Sequence, residues 1–585
     1  MLLSAQPDTL QAVTVVADRG VVVSRTDTLL IRNHQDVSTT LLQLPGVYVG
    51  DYGGVAGLKS ASLRGFGSAH TAIYLDGVRV SNIQSGQADL GMLDLQSLGT
   101  VVADYAQNSL SFQTARPVFH DRKVSGAVRL QGGSFGTWQP YGRVNFRLGE
   151  RWALSANVGG IFYQGSFPLE TGNLRTNNDL KQFRGGLDLF GLLKGGDFHA
   201  KVYYNSVARG TPGSIYWPSS DRQYDNNILA QAVFRKSFSQ VYTLHLSGKA
   251  ALDKLYYQSE WGDSNYKQAD FQLNSAHYFW IGEHWTASLA ADAILDGMGG
   301  DVYNGRRFQA VTAAAIAYRS ARVKARLAGE YNGVWDAGGS SWNVLSPSAD
   351  LRVKLVEGLD ILAFGRRGYR APTFNELYYP GYGNPALKPE DGWLADLGLD
   401  FHRSLGAWTL SARADGYHNW LTNKIISAPS ADDPYVWLPY NVGKVQSMGV
   451  DLHAGFVFAK GNWRAVLNAR YGWQQALDKT PDSYTYDQQI PYVARHTLVV
   501  NAEAAFRGWT LALLWNQRMG RWDASGKMPD WETLDLTFNK DFQLGKGMAL
   551  GAFVSGRNLL NYRYDVVTGY PMPGINFLAG IQFRF

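Results

Sequence analysis

The chain has 585 residues, with 55 Lys and Arg against 49 Asp and Glu, and no cysteine. The length exceeds what one soluble core usually fills, so a single large architecture or several domains are expected. Without cysteine, a disulfide scaffold, a thiolate zinc site and a cysteine nucleophile are excluded. The formal charge of +6 is not gathered into a basic run, so no nucleic-acid partner is expected.

Aromatic residues and glycine are unusually frequent for a water-soluble enzyme. The chain has 18 Trp, 32 Tyr, 27 Phe and 64 Gly, while only 18% of its residues are charged. No run approaches the roughly 18–20 consecutive apolar residues that a membrane-spanning helix needs. These features exclude a helical membrane protein and require another use for the aromatic side chains.

Residues 1–24 form a first segment that contains an extended, uncharged stretch. This stretch is Thr9, Leu10, Gln11, Ala12, Val13, Thr14 and Val15. Its β-branched residues favour strand structure, so on composition alone it is consistent with a first strand of the domain that follows.

Residues 25–120 lack long alternating runs and are dense in glycine. The motifs LPGV at 44–47, RGFG at 64–67 and YLDGVRV at 74–80 divide this segment. Because glycine and proline mark turns, the segment is organised differently from the rest of the chain.

From residue 121 to the end, apolar and polar residues alternate with period two, as in 464–473 and 497–506. The runs are about ten residues long, which is the length that a tilted strand needs to cross a bilayer, whereas strands of a soluble β-sandwich are shorter. Aromatic residues stand at run ends, where an interfacial girdle would place them: Trp152, Trp285, Trp408, Trp463 and Trp509. The pattern favours a transmembrane β-barrel over a soluble sandwich.

The number of strands follows from the length of this region. A strand with its share of turn and loop takes about 20 residues, so the 465 residues after residue 120 predict about 22 strands. A barrel of that size has a lumen that must be filled by water or by a plug. Residues 25–120 are the candidate plug.

The order of LPGV, RGFG and YLDGVRV resembles the plug of TonB-dependent outer-membrane transporters. The last strand, which alternates up to Phe585, resembles the assembly signal of bacterial outer-membrane barrels. The resemblance covers essentially the whole chain. It implies an all-β membrane protein, a transporter rather than an enzyme, in the outer membrane of a Gram-negative bacterium. Its antiparallel barrel of about 22 strands, 121–585, would enclose an N-terminal plug, 25–120.

The resemblance also implies the partners. In this family the segment equivalent to Thr9–Val15 is the TonB box, which adds a strand to TonB, and TonB is driven by an inner-membrane energising complex. Membrane lipid surrounds the barrel. The plug ends at 107–116 without the glycine-rich run common in the family, which is similar to receptors of the Bacteroidetes group. That similarity predicts a surface-exposed lipoprotein that helps to capture the substrate.

Two stretches are similar to cobalamin (vitamin B12) receptors. The plug segment 81–90 is a small-residue loop that ends in Ala-Asp-Leu, and 378–390 is close to a barrel loop of these receptors. YRAP at 369–372 and NPAL at 384–387 are also similar to haem receptors, which place a histidine between these boxes. No histidine lies between Pro372 and Asn384. The predicted substrate is cobalamin or a related corrinoid, with a ferric siderophore or haem as the alternative.

The predicted binding residues lie on two glycine-rich plug apices and one aromatic loop. Backbone groups at a glycine-rich apex can approach the amide fringe of a corrinoid, and tyrosines offer flat faces with a polar tip. The residues are Asp51, Tyr52, Gly53, Gly54, Gln84, Ser85, Gln87, Asp89, Tyr378, Tyr379 and Tyr382.

No cofactor, catalytic residue or metal is predicted, and bound calcium is the alternative. Asp221 and Asp225, and Asp432 and Asp433, lie in long predicted loops, but calcium usually takes six to eight oxygens. Residues 132–136 match the G-x-S-x-G pattern of hydrolases, yet a strand follows instead of a helix, so we predict a hairpin turn. An outer-membrane barrel hydrolase and a passive porin remain the other functional alternatives.

Replacing Leu10 or Val13 by proline removes a main-chain donor from the strand that would pair with TonB. We expect either variant to lose uptake of labelled cyanocobalamin while surface binding stays intact, because a plugged lumen offers no free path. Uptake and binding are measured on the same cells. Equal uptake by wild type and variant would favour the porin.

Overall fold

A computed structural model describes residues 26–32, 35–119, 122–429, 437–523, 525–545 and 547–585. The predicted TonB box, Thr9–Val15, lies outside these residues. The described chain consists of a small N-terminal β-sheet domain, the plug, and a closed antiparallel barrel. No helix among the described residues is long and apolar enough to cross a membrane.

The plug contains short strands and one helix, α1 (Val37–Leu41). Its strands are β1 (Thr26–Leu30), β2 (Val47–Asp51), β3 (Lys59–Leu63), β4 (Ala72–Leu75), β5 (Val78–Val80), β6 (Leu98–Asp104) and β7 (Ser109–Thr114). Five of them form a sheet in the order β1-β6-β7-β4-β5, while β2 and β3 form a separate hairpin. The plug core holds fully buried side chains, among them Leu41, Val101, Leu110 and Phe112.

Local sequence explains the turns of the plug. Asp36 caps α1, because its carboxylate accepts a hydrogen bond from the backbone N–H of Thr39 at 2.8 Å. The YLDGVRV motif is the β4–β5 hairpin, and its central residues Asp76 and Gly77 have φ angles of 53° and 90°. Two positive φ angles are what a two-residue hairpin turn of the favoured hand requires, and Asp-Gly supplies them.

The remaining strands begin at Val124. They are β8 (Val124–Gly133), β9 (Thr137–Arg147), β10 (Trp152–Tyr163), β11 (Leu180–Leu193), β12 (Gly196–Gly210), β13 (Arg222–Ser237), β14 (Tyr242–Gln258), β15 (Ser264–Ile281), β16 (Trp285–Gly300), β17 (Gly305–Arg319), β18 (Val323–Asp336), β19 (Ser341–Val356), β20 (Leu359–Arg370), β21 (Glu390–Leu405), β22 (Trp408–Pro429), β23 (Trp437–Lys460), β24 (Trp463–Asp478), β25 (His496–Phe506), β26 (Trp509–Met519), β27 (Arg521–Asp523), β28 (Gly526–Met528), β29 (Trp531–Gly545), β30 (Met548–Arg557), β31 (Asp565–Val567), β32 (Tyr570–Pro571) and β33 (Asn576–Arg584). The pairs β27/β28 and β31/β32 are small loop hairpins, and the other 22 strands form the closed barrel. The predicted strand number is confirmed.

The two ends of the barrel differ in the length of their connections. At one end the turns have two to four residues, such as 194–195 and 357–358. At the other end the connections reach 19 residues, in the loop 371–389, which contains α2 (Phe374–Tyr378). Outer-membrane barrels have short periplasmic turns and longer outer loops, so the long loops face the cell exterior.

The alternation of side chains matches a barrel in lipid. On β16, Leu289 and Leu295 are at least 50% exposed on the outer face, whereas Ile294 and Asp296 are buried on the lumen side. Strands that follow periplasmic turns begin with the predicted girdle residues Trp152, Trp285, Trp408, Trp463 and Trp509. Each packs on an aromatic ring of a nearby strand, for example Trp463 on Phe506 with ring centroids 4.3 Å apart. The predicted position of these tryptophans at strand ends is confirmed.

The barrel closes where β33 pairs with β8. The backbone of Phe585 exchanges two hydrogen bonds with Gly126, at 2.8 and 3.0 Å. Further along the seam, Gly133 lies so close to the carbonyl of Phe577 that any Cβ at this position would collide with it. The closing seam therefore depends on a residue without a side chain.

Replacing Gly133 by valine should weaken the closing seam by about 1–3 kcal/mol, the usual cost of forcing extra atoms into a packed site. The fraction of protein that migrates as a compact barrel on an unboiled gel should fall. Gly142→Val is the matched control, because nothing lies within 4 Å of a Cβ at Gly142. Equal compact fractions for the two variants would contradict the prediction.

Candidate outer binding site

The first plug apex, residues 51–57, lies beneath the outer loop 558–575. The ring of Tyr52 meets Tyr570 edge-on, with centroids 5.0 Å apart. A Cβ on Gly54 would lie 3.2 Å from the ring of Pro573, so glycine permits this close approach. The carbonyl of Gly53 accepts a hydrogen bond from the side chain of Asn178 at 3.5 Å. Barrel loops therefore cover this apex in the structure.

Asp51 holds the first apex in shape. Its side chain is 3% exposed, and it accepts hydrogen bonds from Ser38 Oγ at 2.7 Å and from the backbone of Gly54 at 2.8 Å. Lys59 Nζ lies 3.3 Å from the same carboxylate, and the backbone N–H of Lys59 donates to Asp89 at 3.2 Å. Lys59 thus links the two apices.

The second apex, residues 84–89, is attached to the loop that carries α2. The carbonyl of Gln84 accepts from the backbone of Asn375 at 3.1 Å. The side chain of Gln87 accepts from Ser68 at 2.8 Å. Ser85 N donates to Asn82 Oδ1 at 3.0 Å in a local turn. The apex is therefore tied down on both sides.

Asp89 ends this apex and fixes it to the barrel wall. Its carboxylate accepts from the backbone of Gly91 at 2.9 Å, which caps a short 3-10 turn, and forms an ion pair with Arg209 at 3.1 Å. Asp51 and Asp89 both hold the plug in place here, so the free ligand groups of the apices are mainly backbone atoms.

The three predicted tyrosines lie in or just after α2, which begins with a capping box formed by Thr373 and Glu376. The hydroxyl of Tyr378 donates to Asp336 at 2.8 Å; burial and this carboxylate raise the pKa of Tyr378 to about 12. The hydroxyl of Tyr382 is hydrogen-bonded to Ser427 at 2.7 Å. Tyr379 is 37% exposed, and Tyr378 and Tyr382 are less exposed.

A buried arginine that sequence reasoning passed over joins the plug to the barrel. Arg64 of the RGFG motif is 4% exposed and pairs with Asp396 at 2.6 Å and Asp451 at 3.0 Å. Its guanidinium lies 4.5 Å from the ring centroid of Tyr105 and 4.2 Å from that of Tyr417. Burial lowers the pKa of Arg64, but the carboxylates more than offset this and raise it above its ordinary value. The arginine stays charged.

A second plug contact lies at the β4–β5 turn, nearer the periplasmic end. Asp76 accepts two hydrogen bonds from Thr114, each at 2.7 Å, and pairs with Lys201 of β12 at 3.1 Å. Burial raises the pKa of Asp76, but Lys201, His199 and the bonds from Thr114 lower it to about 2. The turn is therefore held by an ionised carboxylate.

Two of the aspartates considered for calcium, Asp221 and Asp225, accept hydrogen bonds from other side chains. Asp221 accepts a hydrogen bond from Tyr257 at 2.7 Å, and Asp225 accepts from Gln223 at 2.9 Å. Asp432 and Asp433 lie outside the described residues. Where the chain is described, no group of three or more His, Asp or Glu side chains is arranged to hold a metal ion.

The G-x-S-x-G segment has the predicted hairpin form. Gly133 ends β8, Thr137 begins β9, and Ser134 lies in the turn between them. The next element is a strand, so the strand-to-helix turn that a hydrolase nucleophile needs is not formed at this place.

Two family models match the chain. "TonB dependent receptor-like, beta-barrel" matches residues 131–559, and "TonB-dependent Receptor Plug Domain" matches residues 8–114. The chain belongs to the TonB-dependent receptor family. This TonB-dependent receptor is accordingly an outer-membrane transporter of a Gram-negative bacterium, as the sequence resemblance implied.

Individual relatives are distant. The vitamin B12 transporter BtuB of Vibrio vulnificus (strain YJ016) is 24% identical over 93% of this chain and 89% of its own length. The copper transporter OprC superposes with a TM-score of 0.77 at 15% identity, over 97% of this chain and 99% of its own. The FrpB iron transporter of Neisseria meningitidis gives a TM-score of 0.77 at 12% identity, over 95% and 97% of the two chains. At these identities the structures establish the shared fold.

Replacing Arg64 by methionine would leave the carboxylates of Asp396 and Asp451 buried without their cation. We expect the docked plug to lose about 3–5 kcal/mol of stability, because an unpaired buried charge is strongly unfavourable. Hydrogen exchange of β3 should accelerate, while the barrel keeps its compact migration on gels. Adding Asp396→Asn and Asp451→Asn to Arg64→Met should recover part of the protection. Unchanged exchange in the single variant would contradict this role.

Proposed function

We propose that this TonB-dependent receptor transports cobalamin or a closely related corrinoid across the outer membrane. The observation that carries the proposal is a contact between a plug segment that resembles cobalamin receptors and the helix that leads into the second such segment. In the plug segment 81–90, the carbonyls of Ile83 and Gln84 accept hydrogen bonds from Phe374 and Asn375 of α2, at 3.3 and 3.1 Å. α2 leads directly into the segment 378–390. The similarity to the vitamin B12 transporter of Vibrio vulnificus, over most of both chains, supports the same substrate.

The chemistry of the outer site suits such a ligand. A corrinoid is large and amphipathic and has a fringe of amides, which can pair with backbone N–H and C=O groups of the apices at 51–57 and 84–89. The exposed ring of Tyr379 supplies a flat apolar face beside the second apex, at 6.0 Å from the ring of Tyr303. The loops that cover both apices would have to move to admit a ligand of this size.

Energy coupling in this proposal passes through Thr9–Val15, as the strand that pairs with TonB. The plug contacts at Arg64 and Asp76 explain why coupling is needed, since both are buried ion pairs between plug and barrel. A surface lipoprotein that hands the corrinoid to the outer loops is part of the same proposal and rests on the sequence similarity at 107–116.

Titration of the purified protein with cyanocobalamin, haem, a ferric siderophore and Cu²⁺ tests the substrate. We expect saturable binding of cyanocobalamin with a Kd below about 1 μM, because aromatic contact and many backbone hydrogen bonds act together. Replacing Tyr379 by alanine should cost about 1–3 kcal/mol of binding free energy. Tyr484→Ala is the control, since Tyr484 is 82% exposed on a different loop and should leave the Kd unchanged.

Binding of an iron chelate, haem or copper with no response to any corrinoid would refute the cobalamin assignment. The same result would leave the family and the transport function untouched. Equal effects of the Tyr379 and Tyr484 variants would instead place the corrinoid away from α2.

A further inference from the structure

A cavity runs down the lumen between the β4–β5 hairpin of the plug and the barrel wall of β13–β21. It extends from Ile83 and Thr373 under the α2 loop to Gly77 and Arg235 near the periplasmic end. Carboxamide side chains line much of it: Asn82, Asn108, Gln272, Asn274 and Gln309. The cavity therefore continues the outer site into the barrel with groups that can exchange hydrogen bonds with an amide-rich ligand.

Six arginines line this cavity, and four of them are neutralised by a carboxylate. The four pairs are Arg235 with Asp197 at 3.2 Å, Arg307 with Asp336 at 2.6 Å, Arg326 with Asp350 at 3.3 Å and Arg370 with Glu390 at 2.5 Å. These pairs fix the wall and leave little charge for a ligand.

The other two arginines, Arg79 and Arg366, are different. Arg79 is exposed to the cavity, and its guanidinium has no ion pair or hydrogen bond with any described residue. Arg366 donates a hydrogen bond to the neutral side chain of Gln107, and it too has no ion pair with a described residue. Asp350, which pairs with Arg326, acts on Arg366 electrostatically and forms no ion pair with it, so both guanidiniums keep donors for an anion.

Carboxylates also face this cavity, and two of them accept hydrogen bonds from neutral amides. Asp296 accepts a hydrogen bond from Gln309 at 3.0 Å, and Glu330 accepts one from Asn332 at 3.1 Å. Asp292 lines the cavity as well. Within the described chain, no ion pair joins these three carboxylates to Arg79 or Arg366, and Glu330 acts electrostatically on Tyr369, as both arginines do.

The two arginines line the same cavity from its two sides, Arg79 on the plug and Arg366 on the barrel wall. The carbonyl of Arg79 accepts a hydrogen bond from Lys249 at 2.6 Å, and Lys249 lies at the middle of β14. Arg366 is on β20, four residues before its outer end at Arg370. Both guanidiniums interact electrostatically with the side chain of Tyr369, which also lines the cavity. Both guanidiniums therefore act on the same part of the cavity.

We propose that Arg79 and Arg366 form an anion-binding site inside the lumen that holds the phosphodiester of a corrinoid on its way through the barrel. A guanidinium presents two parallel N–H donors, which match two oxygens of a phosphodiester. One arginine belongs to the plug and the other to the wall, so the anion would bridge the two parts. The ligand class rests on the proposed function, whereas the anion site itself does not.

Uptake experiments separate the nucleotide arm, which contains the phosphodiester, from the rest of the ligand. Cyanocobalamin carries the phosphodiester, and dicyanocobinamide lacks it. Arg79→Gln and Arg366→Gln should each slow TonB-dependent uptake of cyanocobalamin about tenfold, the usual effect of losing one charge-assisted hydrogen bond, and change dicyanocobinamide uptake less than twofold. Lys267→Gln removes the same charge from an exposed position on β15 and should affect neither ligand. Equal slowing of both ligands, or of neither, would overturn the proposal.

A second measurement is independent of any corrinoid. Crystals of the full chain soaked in selenate should show an anomalous peak between Arg79 and Arg366, and the peak should vanish in Arg79→Gln. A missing peak in the wild type would overturn the anion site. If the wild type transports neither corrinoid, the proposed function has failed, and the selenate peak alone decides whether the anion site exists.

Discussion

The width of the lumen governs the rest of this structure. A closed barrel of 22 strands cannot be filled by its own inward side chains, so a separate domain occupies it. Much of the wall facing that domain is polar, and buried ion pairs at Arg64 and Asp76 join the two, while wall residues such as Phe364 and Leu394 pack against the plug core. Such contacts are specific in position, but they depend on complete pairing. The ion pairs therefore fix the position of the plug at rest, and separating the plug from the wall requires work.

The sequence predicted those features that depend on neighbouring residues. Strand alternation and the tryptophan girdle follow from patterns within about ten residues, and the strand number follows from the length of a strand and the length of the region. The Asp-Gly turn at Asp76 has a local cause as well. In contrast, the pairing of Arg64 with Asp396 and Asp451 joins positions more than 300 residues apart, and no local pattern carries that information. The only available signal was the charged first residue of the RGFG motif, Arg64.

In the candidate site, too, some features follow from local sequence and others only from the folded barrel. The sequence indicated two apices and an aromatic loop, and the structure joins the second apex to the helix that leads into that loop. It also gives Asp51 and Asp89 supporting positions, where they hold the backbone that a ligand would meet. Which polar groups remain free depends on the barrel loops that fold over them, such as 558–575. Those contacts depend on the closed barrel and cannot be predicted from the loop sequences alone.

The position of β1 at one edge of the plug sheet determines how a pull would enter the plug. β1 is the first described strand and pairs antiparallel with β6 from Thr26 opposite Asp104 to Leu30 opposite Thr100. Tension on the chain ahead of Thr26 therefore loads the outermost pair first, together with the contact between Asp27 and Arg413 of the wall. The edge strand can peel away one residue pair at a time while the contacts of Arg64 and Asp76 still hold. Mechanical work would then be spent in small successive steps.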